Sequence, residues 1–245
     1  MLYARAPRLG AVKTRLVPGL DPEEALEFHR ALLMDSLRLL RRAAKDIGAL
    51  PALALGDPER AGAPGRPAPS DPRGTALEEA TAGLLLLPQR GADLGERLRD
   101  TFDGILRRRA RPGAVVFGSD SPTLPMERLR SAFAILESGT EVVLGPAEDG
   151  GYYLIGATRP LPDLFAGIPW GTERVMEATL AAIERAGLRA SLLPPWFDID
   201  RPEDLARAYR DLEAAPDGTA ERTFAFLRGL ARAGRLAQEP ARTGA

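Results

Sequence analysis

The strongest constraint on the fold is a short apolar run, residues 114–118, which is β-branched and aromatic and ends at Asp120, just before a proline turn. The run predicts a buried strand that places Asp120 beyond its carboxyl end. Ligands of open α/β sheets bind at such ends, so a carboxylate there can hold a metal and, through it, a phosphate. Alternatively, Asp120 caps the helix that begins near Met126 or fixes the turn before Pro122.

Strand-like runs alternate with amphipathic helices, which indicates the α/β class, and 245 residues need no more than one domain. We expect that domain to span residues 1–233, with a flexible tail over 234–245. A proline-rich loop from Gly56 to Gly74 is expected to be either a functional lid or disordered. Strands are predicted at residues 2–4, 50–55, 84–87, 114–118, 141–144 and 190–193. Helices are predicted at 21–46, near 77, and at 93–109, 126–137, 173–186, 202–212 and 219–233. In the first of them, Asp21 is the expected cap and Glu24, at the third helical position, its capping-box partner.

Composition limits the partners. The net charge is −1 and the pI about 6.0, which disfavours binding to nucleic acid or to an anionic membrane surface. Cysteine is absent and His29 is the only histidine, so any metal must be held by oxygen, as Mg²⁺ or Mn²⁺ is. No segment has the pattern of a signal peptide or a membrane span, and we expect a cytoplasmic protein of undetermined oligomeric state.

The first strand leads into a cationic loop over residues 5–16. Pro7 and Gly10 favour a turn there, and the convergent charge suits a polyphosphate. Lys13 is one of only two lysines, although the chain has 33 basic residues. A Walker A loop is excluded because Val12 stands where that motif has glycine. The alternative is an ordinary basic surface loop. The cations of the loop are Arg5, Arg8, Lys13 and Arg15.

A second loop, residues 89–97, combines two glycines with Gln89, Asp93 and Arg97 at a strand-to-helix turn. These residues could contact a nucleotide base or a phosphate. Equally, Asp93 could simply cap the helix, with Glu96 as its capping-box partner.

A third segment, residues 145–156, contains Asp149-Gly150 between two strand-like runs, which is a hairpin signal. A carboxylate beside Gly150 and Gly151 could also act as a base or ligand where a substrate approaches the backbone. Downstream, Thr172 is predicted to cap the helix that starts at Glu173.

Two carboxylates, Asp198 and Asp200, flank Ile199 in an extended segment. Side chains at i and i+2 share a face, so the two acids are expected to point the same way, with Ile199 opposite. Paired carboxylates repel unless a cation or proton lies between them. Asp200 could alternatively cap the helix that Pro202 begins, but this leaves Asp198 unexplained.

Six ordered blocks, spread over about residues 1 to 212, resemble a bacterial family of GT-A-type nucleotide-diphospho-sugar transferases associated with arsenosugar-biosynthesis glycosyltransferases. They are Pro7-x-x-Gly10-x-Val12-Lys13-Thr14-Arg15-Leu16, Gln89-x-Gly91-x-Asp93-Leu94-Gly95-Glu96-Arg97, Gly118-Ser119-Asp120-Ser121-Pro122, Gly145-Pro146-x-x-Asp149-Gly150-Gly151-Tyr152-Tyr153-Leu154-Ile155-Gly156, Trp170-Gly171-Thr172 and Asp198-Ile199-Asp200-x-Pro202-Glu203-Asp204-Leu205.

The resemblance implies a three-layer α/β/α sandwich with a mostly parallel mixed sheet, and a divalent metal, Mg²⁺ or Mn²⁺. It implies catalytic roles for Asp149, Asp120 and Lys13, with Asp149 as the acceptor-side base. The nucleotide contacts would be Gly10, Lys13, Arg15, Gln89, Gly91, Gly95, Arg97 and Ser119. The substrate contacts would be Gly150, Gly151, Tyr152, Trp170, Gly171 and Thr172. The metal contacts would be Asp120, Asp198 and Asp200.

Three hypotheses on function follow. The first is a metal-dependent glycosyltransferase that moves a sugar from a nucleotide-diphospho-sugar to a small-molecule acceptor. The second is a nucleotidyltransferase, similar to guanylyltransferases, that releases pyrophosphate from a nucleoside triphosphate. The third is a non-catalytic nucleotide-binding protein. Because one fold hosts many transfer reactions, the fold does not choose among them.

Overall fold

The computed structural model describes residues 1–17, 19–56, 74–107 and 113–236. Its strands are β1 (Leu2–Arg5), β2 (Ala52–Gly56), β3 (Leu85–Pro88), β4 (Ala114–Gly118), β5 (Val142–Pro146), β6 (Tyr152–Ala157) and β7 (Ala190–Leu192). Its α-helices are α1 (Pro22–Ile47), α2 (Gly74–Thr81), α3 (Leu94–Leu106), α4 (Met126–Glu137), α5 (Val175–Arg185), α6 (Pro202–Glu213) and α7 (Glu221–Arg232). Short 3₁₀ turns lie at Thr14–Leu16 and Pro162–Phe165.

The strands form a single sheet in the order β3-β2-β1-β4-β6-β5-β7. Strand β6 is antiparallel to both β4 and β5, and the other neighbouring pairs are parallel. The mostly parallel mixed sheet is therefore confirmed, as is the hairpin between β5 and β6. The loops after β1 and β4 and the β5–β6 turn all lie at the same edge of the sheet.

Alternation along β4 divides the core into two layers. Val115 and Phe117 pack with α1 and α4 on one face, whereas Ala114 and Val116 pack with α3 and α5 on the other. Burial of both faces explains why the strand is a continuous apolar run. The three-layer α/β/α arrangement is confirmed.

A third apolar cluster joins the first half of α1 to α6 and α7. The buried Asp35 carboxylate accepts hydrogen bonds from the backbone N–H groups of Arg222 and Thr223, so it caps α7 from α1. At the end of the described chain, Arg235 pairs with Glu24 and Leu236 packs against this cluster. The rest of the expected tail, residues 237–245, lies outside the described residues, as do residues 57–73 of the expected loop.

One predicted helix cap and two alternative caps are wrong. Helix α5 begins at Val175 with Arg174 at its N-cap, whereas the Thr172 hydroxyl donates to the carbonyl of Pro169. Asp200 does not cap α6, because Arg201 is the N-cap residue and the Asp204 carboxylate, in the first turn, accepts from the N–H groups of Asp200 and Arg201. Asp120 does not cap α4, where Pro125 is the N-cap residue.

Two other caps are confirmed. Asp21 and Glu24 form the predicted capping box at α1, and Asp93 accepts from the N–H of Glu96 at α3. Within the described ranges, no helix is both long and apolar enough to cross a membrane.

Candidate functional site

Charged residues from three loops meet at the carboxyl edge of the sheet, around the Lys13 ammonium. Its Nζ lies 2.8 Å from Asp120 Oδ1 and 3.1 Å from Asp200 Oδ1, and it donates to the Ile199 carbonyl at 2.6 Å. Arg15 Nη1 reaches the other Asp200 oxygen at 3.1 Å. The loop after β1, the turn after β4 and the segment before α6 are thus linked by one cationic side chain.

Lys13 is held in an unusual conformation. Of the described non-glycine residues, only Lys13 and Ala220 have a positive φ, which is 50° at Lys13. This left-handed geometry costs about 1–2 kcal/mol for a residue with a side chain. The Lys13 side chain is only 3% exposed. Burial lowers its pKa, but Asp120 and Asp200 more than offset this, so the pKa is raised and the ammonium stays charged.

The Asp120 carboxylate is ionised and partly accessible. Burial raises its pKa, but the Lys13 ammonium reverses this and holds the pKa below its ordinary value. The side chain keeps 42% of its surface exposed, so a ligand can reach it. The backbone is fixed as well, because the Asp120 carbonyl accepts from the N–H of Ile199.

Asp198 differs from its neighbour Asp200. Its Oδ1 accepts a very short hydrogen bond from the Ser121 hydroxyl. Burial, and then the charge of Asp120, raise the pKa of Asp198 to about 7, and the charge of Asp149 adds to the effect. Ile199 is fully buried, as the alternation predicts. The two acids therefore have different partners, a cationic one at Asp200 and a hydroxyl at Asp198.

Sequence reasoning assigned no site role to two residues of this region. Ser121 directly follows Asp120, and its place in the same turn is the signal that could have revealed it. His29 is buried in α1, where Nε2 donates to the Arg5 carbonyl at 3.0 Å. Burial lowers its pKa, so the ring is neutral, and Nδ1 has no partner among the described residues.

The predicted nucleotide-contact residues of the second loop are engaged within the protein. Gln89 Nε2 donates to the carbonyls of Ala4 and Ala54, which ties the ends of β1 and β2 together. Arg97 Nε donates to the Gly91 carbonyl at 2.9 Å. At Gly95 a Cβ would lie 2.5 Å from Trp170 Nε1, so this glycine serves helix packing.

Two other predicted nucleotide contacts lie closer to the Lys13 centre. Gly10, at φ 71°, has open space around it. Ser119 is buried between β4 and α1, and its carbonyl accepts from the Ser36 hydroxyl.

The predicted substrate residues also make close internal contacts. At Gly150 (φ 88°) a Cβ would lie 2.1 Å from the Glu173 carbonyl oxygen, and the Gly150 carbonyl accepts from the N–H of Met176. The Gly151 N–H donates to Asp149 Oδ1 at 2.9 Å.

The aromatic members of this set pack inward. The Tyr152 hydroxyl is buried without a partner among the described residues, and its ring meets Trp170 edge-on at 6.2 Å. Gly171 (φ 80°) has open space around it, and Thr172 is exposed.

The donor set near Asp120 is chemically suited to a hard divalent cation. Asp198 and Asp120 are neighbouring carboxylates, and the charge of Asp120 adds to burial in raising the pKa of Asp198. Within the described ranges, however, no three or more His, Cys, Asp or Glu side chains form a group that could hold a metal ion. Mg²⁺ is commonly held by one or two carboxylates plus substrate phosphates, which fits this arrangement.

The comparisons with known proteins agree with this architecture. The sequence profile of DUF2064, a family described as uncharacterized proteins conserved in bacteria, matches residues 66–172. A crystal structure described as a "putative nucleotide-diphospho-sugar transferase" from Desulfovibrio desulfuricans is 30% identical, with a TM-score of 0.77, and the match covers 94% of each chain. The chain belongs to the same family as this nucleotide-diphospho-sugar transferase structure.

A more distant structure shares the fold. A cytidylyltransferase from Leptospira borgpetersenii is 12% identical with a TM-score of 0.50, and the match covers 99% of this chain and 97% of that one. At this identity the likeness concerns the fold alone. No functionally curated protein sequence matches the chain. The resemblance inferred from the six sequence blocks is confirmed.

Proposed function

We propose that this protein is a metal-dependent transferase that moves a glycosyl group from a nucleotide-diphospho-sugar to a small-molecule acceptor, and that residues 1–233 form its domain. The observation that carries the proposal is the Lys13–Asp120–Asp200 centre at the carboxyl edge of β1 and β4. The 30% identical relative, described as a nucleotide-diphospho-sugar transferase, supports this choice of donor.

Each part of the centre has a role in the proposed reaction. Arg15, whose side chain is 60% exposed, and Lys13 would neutralise the diphosphate. Gly10 has the open space that a backbone contact with phosphate needs. Asp120 and Asp198 would hold the divalent metal. When bound, such an ion stabilises the negative charge that develops on the leaving nucleoside diphosphate.

The acceptor side is assigned to the β5–β6 turn. Asp149 lies close enough to Asp198 for its charge to raise the pKa of that acid. Its Oδ1 is fixed by the Gly151 N–H, which orients the carboxylate. We assign Asp149 as the base that accepts the proton of the acceptor hydroxyl.

The test is thermal unfolding against nucleotide-diphospho-sugars, nucleoside diphosphates and nucleoside triphosphates, each with and without Mn²⁺. A ligand that binds only the folded state raises the melting temperature. We expect a Mn²⁺-dependent increase with at least one nucleotide-diphospho-sugar. The increase should vanish in Asp120→Asn and persist in Asp217→Asn, a matched change at an exposed aspartate. An increase with triphosphates alone would favour nucleotidyl transfer, and no increase with any nucleotide would refute the proposed site.

A further inference from the structure

The Lys13 ammonium has no donor left for a phosphate in this structure. An ammonium carries three N–H donors and accepts nothing. Its three partners are the Ile199 carbonyl, Asp120 Oδ1 and Asp200 Oδ1, at 2.6, 2.8 and 3.1 Å. Before Lys13 can bind a diphosphate, at least one of these contacts must break.

The ammonium lies against Asp120, one of the two carboxylates proposed to hold the metal, and it pairs with Asp200 as well. Because the Lys13 side chain is almost completely buried, water screens its attraction to the 42% exposed Asp120 side chain less than that of a fully exposed pair. A free divalent ion that approaches Asp120 therefore meets a carboxylate already neutralised by the protein itself. The described residues also lack the third acidic or imidazole ligand that would complete a metal site.

From this geometry we propose that Lys13 is an internal counter-ion that keeps free metal ions away from Asp120. The site then binds the metal only as a complex with the nucleotide, an inference that rests on the proposed function. The diphosphate would draw the ammonium away from Asp120, and Asp120 would then be free to hold the metal that arrives with the nucleotide. The phosphates would supply the ligands that the protein lacks.

Two features of Lys13 suit this exchange. Its backbone lies in the left-handed region at φ 50°, so the present conformation stores strain that release of the side chain can relieve. The residue is also one of two lysines in a chain otherwise supplied with arginine. A compact ammonium on a flexible stem moves between single acceptors more readily than a planar guanidinium, which favours fixed bidentate pairing.

The test is equilibrium dialysis of the full chain against Mn²⁺, with elemental analysis of the manganese that the protein retains. Lys13→Met removes the ammonium and keeps most of the apolar stem. Lys45→Met is the matched control, because Lys45 is exposed near the end of α1. Mn²⁺ alone should bind Lys13→Met at least about tenfold more tightly than wild type or Lys45→Met, because Asp120 is left without its counter-ion, whereas Asp200 keeps Arg15.

The same dialysis is repeated with ADP, CDP, GDP and UDP, one at a time. With the nucleoside diphosphate that the site recognises, wild type should retain at least about tenfold more Mn²⁺ than without it. The same nucleotide should increase the Mn²⁺ retained by Lys13→Met much less. Equally tight binding of Mn²⁺ alone to wild type and to Lys13→Met would overturn the proposal.

The wild-type arm keeps the proposal testable if Lys13→Met does not fold. Micromolar binding of Mn²⁺ to wild type without nucleotide would refute it, whereas nucleotide-dependent retention would support it. Nucleotide binding with no change in Mn²⁺ affinity would contradict the counter-ion role and leave the proposed function intact. No binding of any nucleotide would instead count against the proposed function.

Discussion

At the scale of single residues, the candidate site is a small set of charges that depend on one another. The Lys13 ammonium offsets burial of the Asp120 carboxylate, whose pKa is lowered, whereas Asp198 accepts from the Ser121 hydroxyl. Burial, and then the charge of Asp120, raise the pKa of Asp198 to about 7. A site with unequal carboxylates of this kind is typical of functional clefts.

Replacement of Asp198 by asparagine is predicted to stabilise the metal-free protein, and more at pH 8 than at pH 5. The pKa of Asp198 is raised from 3.8 to about 7 by folding, so the folded protein holds a proton that the unfolded chain releases. The contribution of this group to stability is therefore lost as the pH rises through the window from about 4 to 7. Between pH 5 and pH 8 the difference in free energy of unfolding between Asp198→Asn and wild type should grow by about 2 kcal/mol in favour of the variant.

The measurement is urea unfolding of both proteins at the two pH values in the presence of EDTA. Asp217→Asn, at an exposed position, is the control and should show no such growth. If Asp198→Asn raised the free energy of unfolding equally at both pH values, Asp198 would not be protonated near neutrality.

At the scale of elements, the β5–β6 hairpin is joined to the start of α5 by direct backbone contact. The Gly150 carbonyl accepts from the N–H of Met176, and the space that a Gly150 side chain would need is taken by Glu173. On the other side, Arg207 of α6 forms a bidentate pair with Glu148 at 2.6 and 2.8 Å. The turn that carries Asp149 is thus held from two sides.

Gly150→Ala is predicted to destabilise the protein by about 2–4 kcal/mol. A Cβ there would lie 2.1 Å from the Glu173 carbonyl oxygen, and the positive φ adds to the cost. Gly187→Ala is the matched control, because Gly187 also has a positive φ but no atom within 4 Å of the added Cβ. Gly187→Ala should lower the free energy of unfolding by about 1–2 kcal/mol. Equal losses in urea unfolding would show that the close contact with Glu173 does not exist.

At this scale local signals predicted the structure well where the partners are close in sequence. The Asp21–Glu24 capping box and the hairpin at Asp149-Gly150 both follow from residues within a few positions of each other. The alternative cap at Asp200 failed because α6 has Arg201 as its N-cap, and because Lys13, 187 residues away, engages the Asp200 carboxylate. A tertiary contact therefore took the place of the local one.

At the scale of the whole molecule, the sheet determines which loops meet. Apolar runs separated by amphipathic helices were enough to predict the α/β class, and alternation within β4 explains the two core layers. The Lys13–Asp120 pair was not predictable, because sequence gives no distance between the loop after β1 and the turn after β4. The parallel pairing of these two strands brings the loops together.

The same limit applies to Gln89 and Trp170, which the motif pattern assigned to ligand contacts. In the structure Gln89 donates to two strand carbonyls and Trp170 packs against Gly95. A motif shows that a residue matters at its position, but not whether its partner is a ligand or another part of the chain. Whether Gln89 also contacts a nucleotide, and Trp170 a substrate, stays a prediction.

The most direct test of the account is the reaction itself, followed by ³¹P NMR on the purified protein with Mg²⁺ and each nucleotide-diphospho-sugar or nucleoside triphosphate. Mg²⁺ is used because Mn²⁺ broadens the signals. The account predicts that, with water as the acceptor, one nucleotide-diphospho-sugar is hydrolysed to its nucleoside diphosphate and the free sugar, without release of pyrophosphate, and that Asp120→Asn loses this activity. Release of pyrophosphate from a nucleoside triphosphate, with every nucleotide-diphospho-sugar left intact, would contradict it.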